Sequence, residues 1–172
     1  MKRRPFLAAP LALLGLAALP AAAQELAGTA AEGEQAAALA PVDRWLADPA
    51  TVFDAAEVDP EDFRWIARPV IVFADAPVDP AFRRQLEELT LRPAALAERE
   101  VVVIVDSDPD GRSAARRAHR PRAFEVVLID KDGVVKLARP SPLTVREITR
   151  AIDASPIRQQ ELRDRRGTTS EG

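Results

Sequence analysis

Residues 106–122 concentrate the groups of this chain that could do chemistry. Asp106, Asp108 and Asp110 alternate ahead of Gly111, the opening of a loop in which carboxylates at every second position and a turn glycine wrap a hard cation such as calcium. The twelfth position of such a loop, where a bidentate glutamate belongs, is Arg117. With that ligand missing, the pattern favours an Asx-rich turn capping a short helix, and calcium binding stays an open alternative. Ser107 or Ser113, His119 and Asp106 or Asp108 are the residue types of a Ser-His-Asp hydrolase. No nucleophile-elbow glycine pattern surrounds either serine. His119 is the only histidine, so a zinc centre would need carboxylates for its other protein ligands. Arg112, Arg116, Arg117, Arg120 and Arg122 form, with His119, a basic run that could hold an anionic glycan or lipid headgroup. The same run also reads as a solvated helix face pairing with the neighbouring aspartates, and this plainer reading is favoured.

Other chemistries are excluded by what the chain lacks. It has no cysteine, and its single methionine is Met1. Thiol exchange and peroxide reduction need a thiolate nucleophile, so this chain alone performs neither, and no disulfide staples it. Methionine redox is excluded as well, since Met1 would leave with an export signal. Of the 172 residues, 47% are hydrophobic and 30% charged, the composition of one globular domain with appendages.

The start carries Lys2, Arg3 and Arg4, then an apolar run over 6–19 and small residues at 21–23. This reads as a cleavable signal peptide, residues 1–23, and implies a periplasmic or secreted protein. The Arg3-Arg4 pair also resembles a twin-arginine signal, and ordinary secretion is the preferred route. The apolar run is interrupted by Pro10 and Gly15 and is shorter than the roughly 20 residues of a spanning helix, so no stable membrane span is expected after cleavage. Removing the three basic residues takes the net charge from −3 to −6, a poor balance for nucleic-acid binding.

Residues 24–41 are Ala-rich and acidic, a flexible linker. Residues 42–67 hold Trp45, Phe53, Val58, Phe63 and Trp65, a lead-in expected to pack. The continuous β-branched and aromatic runs 69–74 and 101–105 read as central buried strands. Between them, Asp79-Pro80 starts a helix with an N-cap and a proline at its first position, and Pro93 divides that helix. Further elements are a short helix over 113–119, a strand over 124–129, the turn 130–133, a strand over 134–137 and a last helix over 144–154 whose Thr144 and Glu147 have capping-box spacing. The tail 158–172 reads as too polar to pack, and disordered beyond about Leu162.

This order, βαβ, short helix, ββα, is that of the thioredoxin fold, and the predicted class is α/β with a central mixed four-stranded sheet over 68–157. RAFEVVLIDKDGVVKL (122–137) looks like the strand, turn and strand of peroxiredoxins. Together with DFRWIARPVIVFADAPVDPAFRRQL and DASPIRQQEL, it resembles the uncharacterised bacterial secreted thioredoxin-like family called P-DUDES, shared with vertebrate sushi-repeat and coiled-coil matrix proteins. The resemblance implies an extracellular address and, by analogy, an adhesion or matrix role. In relatives with redox activity the sulfur would follow the strand 69–74, where this chain has Asp75-Ala76-Pro77-Val78-Asp79.

Strand ends at one edge of such a sheet converge where ligands bind. Asp75, Asp79, Asp106, Asp108, Asp110, Arg120 and Arg122 are therefore the candidate binding residues, with no catalytic residue, metal or cofactor assigned. The expected function is a non-redox binding or interaction module of the cell envelope, its partner an envelope protein or an anionic glycan. The alternative is a metal-assisted or hydrolytic enzyme using the Asp106 to Asp110 loop with His119.

Overall fold

The structure, a computed structural model, describes residues 39–169. The expected signal peptide, and the linker but for its last residues, lie outside them. Along the chain come α1 (Pro41–Ala47), β1 (Val52–Asp54), a 3-10 turn (Pro60–Phe63), β2 (Arg68–Phe73), α2 (Pro80–Thr90), α3 (Pro93–Ala97), β3 (Val101–Asp106), α4 (Ala114–His119), β4 (Glu125–Ile129), β5 (Val135–Arg139), α5 (Val145–Asp153) and α6 (Pro156–Thr169).

The five strands form one mixed sheet in the order β1-β3-β2-β4-β5. β2 and β3 run parallel, as a chain crossing over through α2 and α3 requires, with Val70 opposite Val103. β4 is antiparallel to β2, and β5 completes a hairpin with it. This is an α/β, thioredoxin-like arrangement. The expected four strands gain a fifth, because the lead-in contributes β1, which pairs parallel with β3 through Phe53 and Ile104.

Alternation along the strands divides the core in two. Val70, Val72, Val103, Val126 and Leu128 face α2, α3 and α5, meeting Phe82, Leu89, Leu96, Ile148 and Ile152. Ile71, Phe73, Ile104 and Val127 point the other way, towards Trp45, Phe53, Phe63 and Ala115. All six residues of β2 are buried, consistent with its central place in the sheet. Trp45 docks the lead-in, its indole N–H donating to the Val101 carbonyl at 3.2 Å, whereas Leu46, Trp65 and Ile66 of the same segment are exposed.

The helix starts follow the capping signals. The Asp79 carboxylate accepts from the amides of Ala81 and Phe82, and Thr144 and Glu147 form a reciprocal capping box. Pro93 opens a separate short helix. In the 130–133 turn, Gly133 has φ of 84° and packs against the Arg64 guanidinium, a backbone that an L side chain adopts only with strain.

The expectation of an unpacked polar tail fails. Pro156, which reads as a terminator, is instead the first residue of α6, a position where its missing N–H is harmless. Charged groups on α6 enter the interior. Arg68, at the start of β2, is fully buried. It donates through Nε to Asp130 at 2.9 Å, through Nη1 to the Arg99 carbonyl at 3.0 Å, and through Nη2 to Glu161 of α6 at 2.8 Å. Lys131 reaches Glu161 at 3.1 Å and Glu100 at 2.5 Å, and Ser155 hydrogen-bonds Asp130. Arg158, 1% exposed, meets the Glu98 carbonyl at 3.2 Å and Glu161 at 3.3 Å. Burial opposes ionisation of Asp130, but the Ser155 hydroxyl, the Lys131 amide and the Arg68 charge hold its carboxyl below the ordinary 3.8. Glu161 is likewise held low against its burial, by Arg68 and Lys131.

Candidate functional site

The carboxyl ends of β2 and β3 meet the amino end of β4, since Phe73 faces both Asp106 and Glu125 in register. At the centre of this sheet end lies Asp106, 3% exposed. Its Oδ1 accepts from Arg116 Nε at 3.0 Å and Nη2 at 2.8 Å, and its Oδ2 accepts from the Ser113 hydroxyl at 2.5 Å. The same Arg116 Nη2 approaches the Ala74 carbonyl at 2.8 Å, and the guanidinium lies 5.6 Å from the centre of the Phe73 ring.

α4 makes this possible. Ser113 is its N-cap, accepting from the Arg116 amide at 3.0 Å, and the cap fixes Arg116 one turn along, facing the sheet. Asp106 is thus a structural anion whose capacity is taken up by its own chain. The sequence offered Arg116 only as one member of a basic run, and its i+3 spacing from Ser113 was the signal that α4 would aim it.

Asp108 and Asp110 are exposed. Asp108 accepts the Asp110 amide at 3.0 Å, and Asp106 accepts the Asp108 amide at 3.4 Å, so the acidic loop folds as consecutive Asx turns. Asp106 and Asp108 line a hollow of about 130 Å³ with Asp54, Gly111 and Ser113. Among the described residues no group of three or more His, Asp or Glu side chains is placed to hold a metal ion. The Ser113 hydroxyl donates its hydrogen bond to Asp106 directly, with no imidazole between them, so the Ser-His-Asp geometry is not formed there.

His119 lies instead against Phe73, ring centres 6.0 Å apart. Burial pushes its imidazole below the ordinary 6.5, partly offset by the Glu125 charge. Together with Arg120, Arg122, Phe124, Glu125 and Pro140 it lines a second hollow of about 330 Å³. Arg120 closes α4 in the left-handed conformation, φ 51°, its amide bonded to the Arg116 carbonyl. Arg120 and Arg122 are exposed.

The candidate residues therefore do not form one cluster. Arg120 and Arg122 share the hollow beside β4, while Asp106 and Asp108 share the one beside β1. Asp79 is spent on capping α2, and exposed Asp75 lines neither hollow. The hollow beside β4 thus brings together two exposed arginines, the ring of Phe124 and a single carboxylate, Glu125, an arrangement that could hold an anionic group. No helix among the described residues is long and apolar enough to cross a membrane.

Comparison with known proteins adds a family. A solved structure, the reduced 2-Cys peroxiredoxin of Plasmodium vivax, is similar at 17% sequence identity and a TM-score of 0.48, covering 60% of this chain and 85% of that one. No curated protein matches. The family model for a domain of unknown function, DUF4174, matches residues 59–161, from the 3-10 turn to Glu161 of α6. That match spans more than half of the chain, which therefore belongs to the DUF4174 family.

Proposed function

We propose that the chain is an exported, non-redox module of thioredoxin-like fold that binds an anionic partner in the cell envelope through the hollow beside β4. The observation that carries this reading is the contrast between two arginine environments at one sheet end. Arg116 is tied to Asp106 and the Ala74 carbonyl, whereas neighbouring Arg120 and Arg122 stand exposed around a hollow of about 330 Å³, without a side-chain hydrogen bond or ion pair among the described residues. Unpaired cations beside a concave apolar floor suit a ligand that brings its own negative charge.

Export is supported by the basic and apolar pattern of the first residues. The P-DUDES resemblance implies the same address and, by analogy, an adhesion role, and the lack of cysteine leaves no thiolate for redox turnover. Anionic glycans and acidic envelope proteins both present such charge.

The test is binding of a sulfated oligosaccharide and of an acidic peptide to the parent chain and to an Arg120→Gln, Arg122→Gln double variant. Each exposed charge pair contributes up to about 1 kcal/mol, so the double variant is expected to bind roughly tenfold more weakly, with the difference fading at high salt. Equal binding by parent and variant, or binding of neither probe, would overturn the reading.

A further inference from the structure

Beside this hollow the sheet has an open edge. β5 pairs with β4 on one side, and among the described residues no strand pairs with its other side. Its five residues, Val135 to Arg139, include two basic side chains and no acidic one. The two ends of the edge differ in character. At its carboxyl end Arg139 lies opposite Val126, and Pro140 already lines the hollow with Arg120 and Arg122. At its amino end Val134 and Val135 are 52% and 44% exposed. Trp65, 65% exposed, is held beside the same turn by its amide, which donates to the Lys131 carbonyl at 2.8 Å. Its φ of 64° is a conformation rare for an aromatic residue.

We infer that β5 is a docking edge on which an extended acidic peptide adds a sixth strand, its acidic end at Arg139, Arg122 and Arg120 and its apolar end at Val134 and Trp65. This rests on the reading of the hollow as an anion site and names the partner's form. Main-chain hydrogen bonds along an exposed edge supply affinity, and the side chains flanking it supply direction. Five edge residues span about 17 Å, so a segment of about ten residues covers both ends.

Charge selects this occupant over a second copy of the chain. Two β5 strands pairing with each other would bring four basic side chains together without an acidic one, the arrangement by which natural edges resist self-association. Lys136 already faces Asp130 at 3.6 Å. The Arg139 guanidinium returns to the adjacent Ala138 carbonyl at 3.2 Å and its charge also acts on Glu147; an incoming carboxylate replaces the carbonyl contact with a charge-assisted one. β1, at the opposite edge, has three residues and carries Asp54, so it repels the same ligand.

The experiment uses the full chain and a synthetic peptide of about ten residues, valine and threonine at one end, glutamate and aspartate at the other. A second peptide of the same sequence is N-methylated at alternate residues, which keeps its charge and abolishes strand pairing. Binding is followed by tryptophan fluorescence, to which exposed Trp65 responds and Trp45, 4% exposed, does not, and by amide hydrogen exchange. The expected results are a blue shift lost in Trp65→Phe, slowed exchange at alternate β5 amides, and at least tenfold weaker binding of the N-methylated peptide.

Equal binding of both peptides without β5 protection overturns the strand-addition inference and leaves the anion site standing, as does binding of a sulfated oligosaccharide but of neither peptide. Failure of every probe overturns both. A dimer whose β5 amides are protected before any peptide is added assigns the edge to a second copy and overturns the inference.

Discussion

Replacing Arg68 by Met tests whether buried charge holds this fold together. Methionine keeps much of the apolar stem and removes the guanidinium. Lost with it are the contacts to Asp130 at 2.9 Å, to the Arg99 carbonyl at 3.0 Å and to Glu161 at 2.8 Å. Asp130 is itself buried, and keeps Ser155, the Lys131 amide and, at 3.6 Å, Lys136. Deleting one partner of a buried ion pair destabilises by about 3–5 kcal/mol, because the remaining charge stays desolvated. For a domain of this size that is a fall in Tm of about 10–20 °C, readable by circular dichroism at neutral pH.

The pH dependence separates charge from packing. In the parent the carboxyls of Asp130 and Glu161 sit below their ordinary 3.8 and 4.5. Their contribution is therefore present above those values and lost as pH falls through the folded ones. In the variant, burial acts with less opposition and raises both carboxyls, so protonation relieves the unpaired charge. The gap between parent and variant should shrink below about pH 4. Melting within about 1 kcal/mol of the parent at pH 7, or a gap unchanged between neutral and acid pH, would refute the reasoning.

Four further outcomes are expected. Gln85, fully buried, donates to the Leu143 carbonyl at 3.1 Å and accepts its amide at 2.6 Å; Gln85→Leu orphans both and should lower urea stability by about 2–4 kcal/mol. Ending the chain at Ser155 removes Arg158 and Glu161 and should cost about 3 kcal/mol, whereas an unchanged melt would return α6 to an accessory tail. Asp79→Ala loses two capped amides and should cost about 1 kcal/mol in denaturant melts, while Asp75→Ala should stay within about 0.5 kcal/mol. His119 should titrate below 6.5 by NMR; its neutral form is the one the fold favours, so the stability it contributes is full above 6.5 and lost as pH falls through the folded value, and Glu125→Gln should depress that value further.

What was legible in the sequence were features whose cause is local. The runs of Val and Ile in β2 and β3 and the caps at Asp79 and Thr144 signal strands and helix starts through side chains that act on their own neighbourhood. β1 was not legible, because three residues with the pattern exposed, buried, exposed become a strand only when β3 offers an edge. α6 was missed for a different reason. Its composition is polar, and polarity reads as solvent, yet Arg158 and Glu161 are drawn inward by the Glu98 carbonyl and the charges of Arg68 and Lys131, distant in sequence. The signal available was the i,i+3 pair Arg158 and Glu161 following Ser155-Pro156. At the sheet end the expected convergence of loops resolves into two separate hollows, since nothing in the order of residues says which arginine meets Asp106 and which stay exposed.

The Arg68 network lies at the start of β2 and the proposed anion hollow beyond its finish, with six strand residues, about 20 Å, between them. Changes separated by that much generally add without coupling. If the hollow binds as proposed, robustness and specificity are held by different residues, and Arg122 and Ala123, which also lines the hollow, are free to drift under selection for new ligands on an unaltered chassis. A library randomised at those two positions should keep one common melting temperature while its members diverge in what they bind.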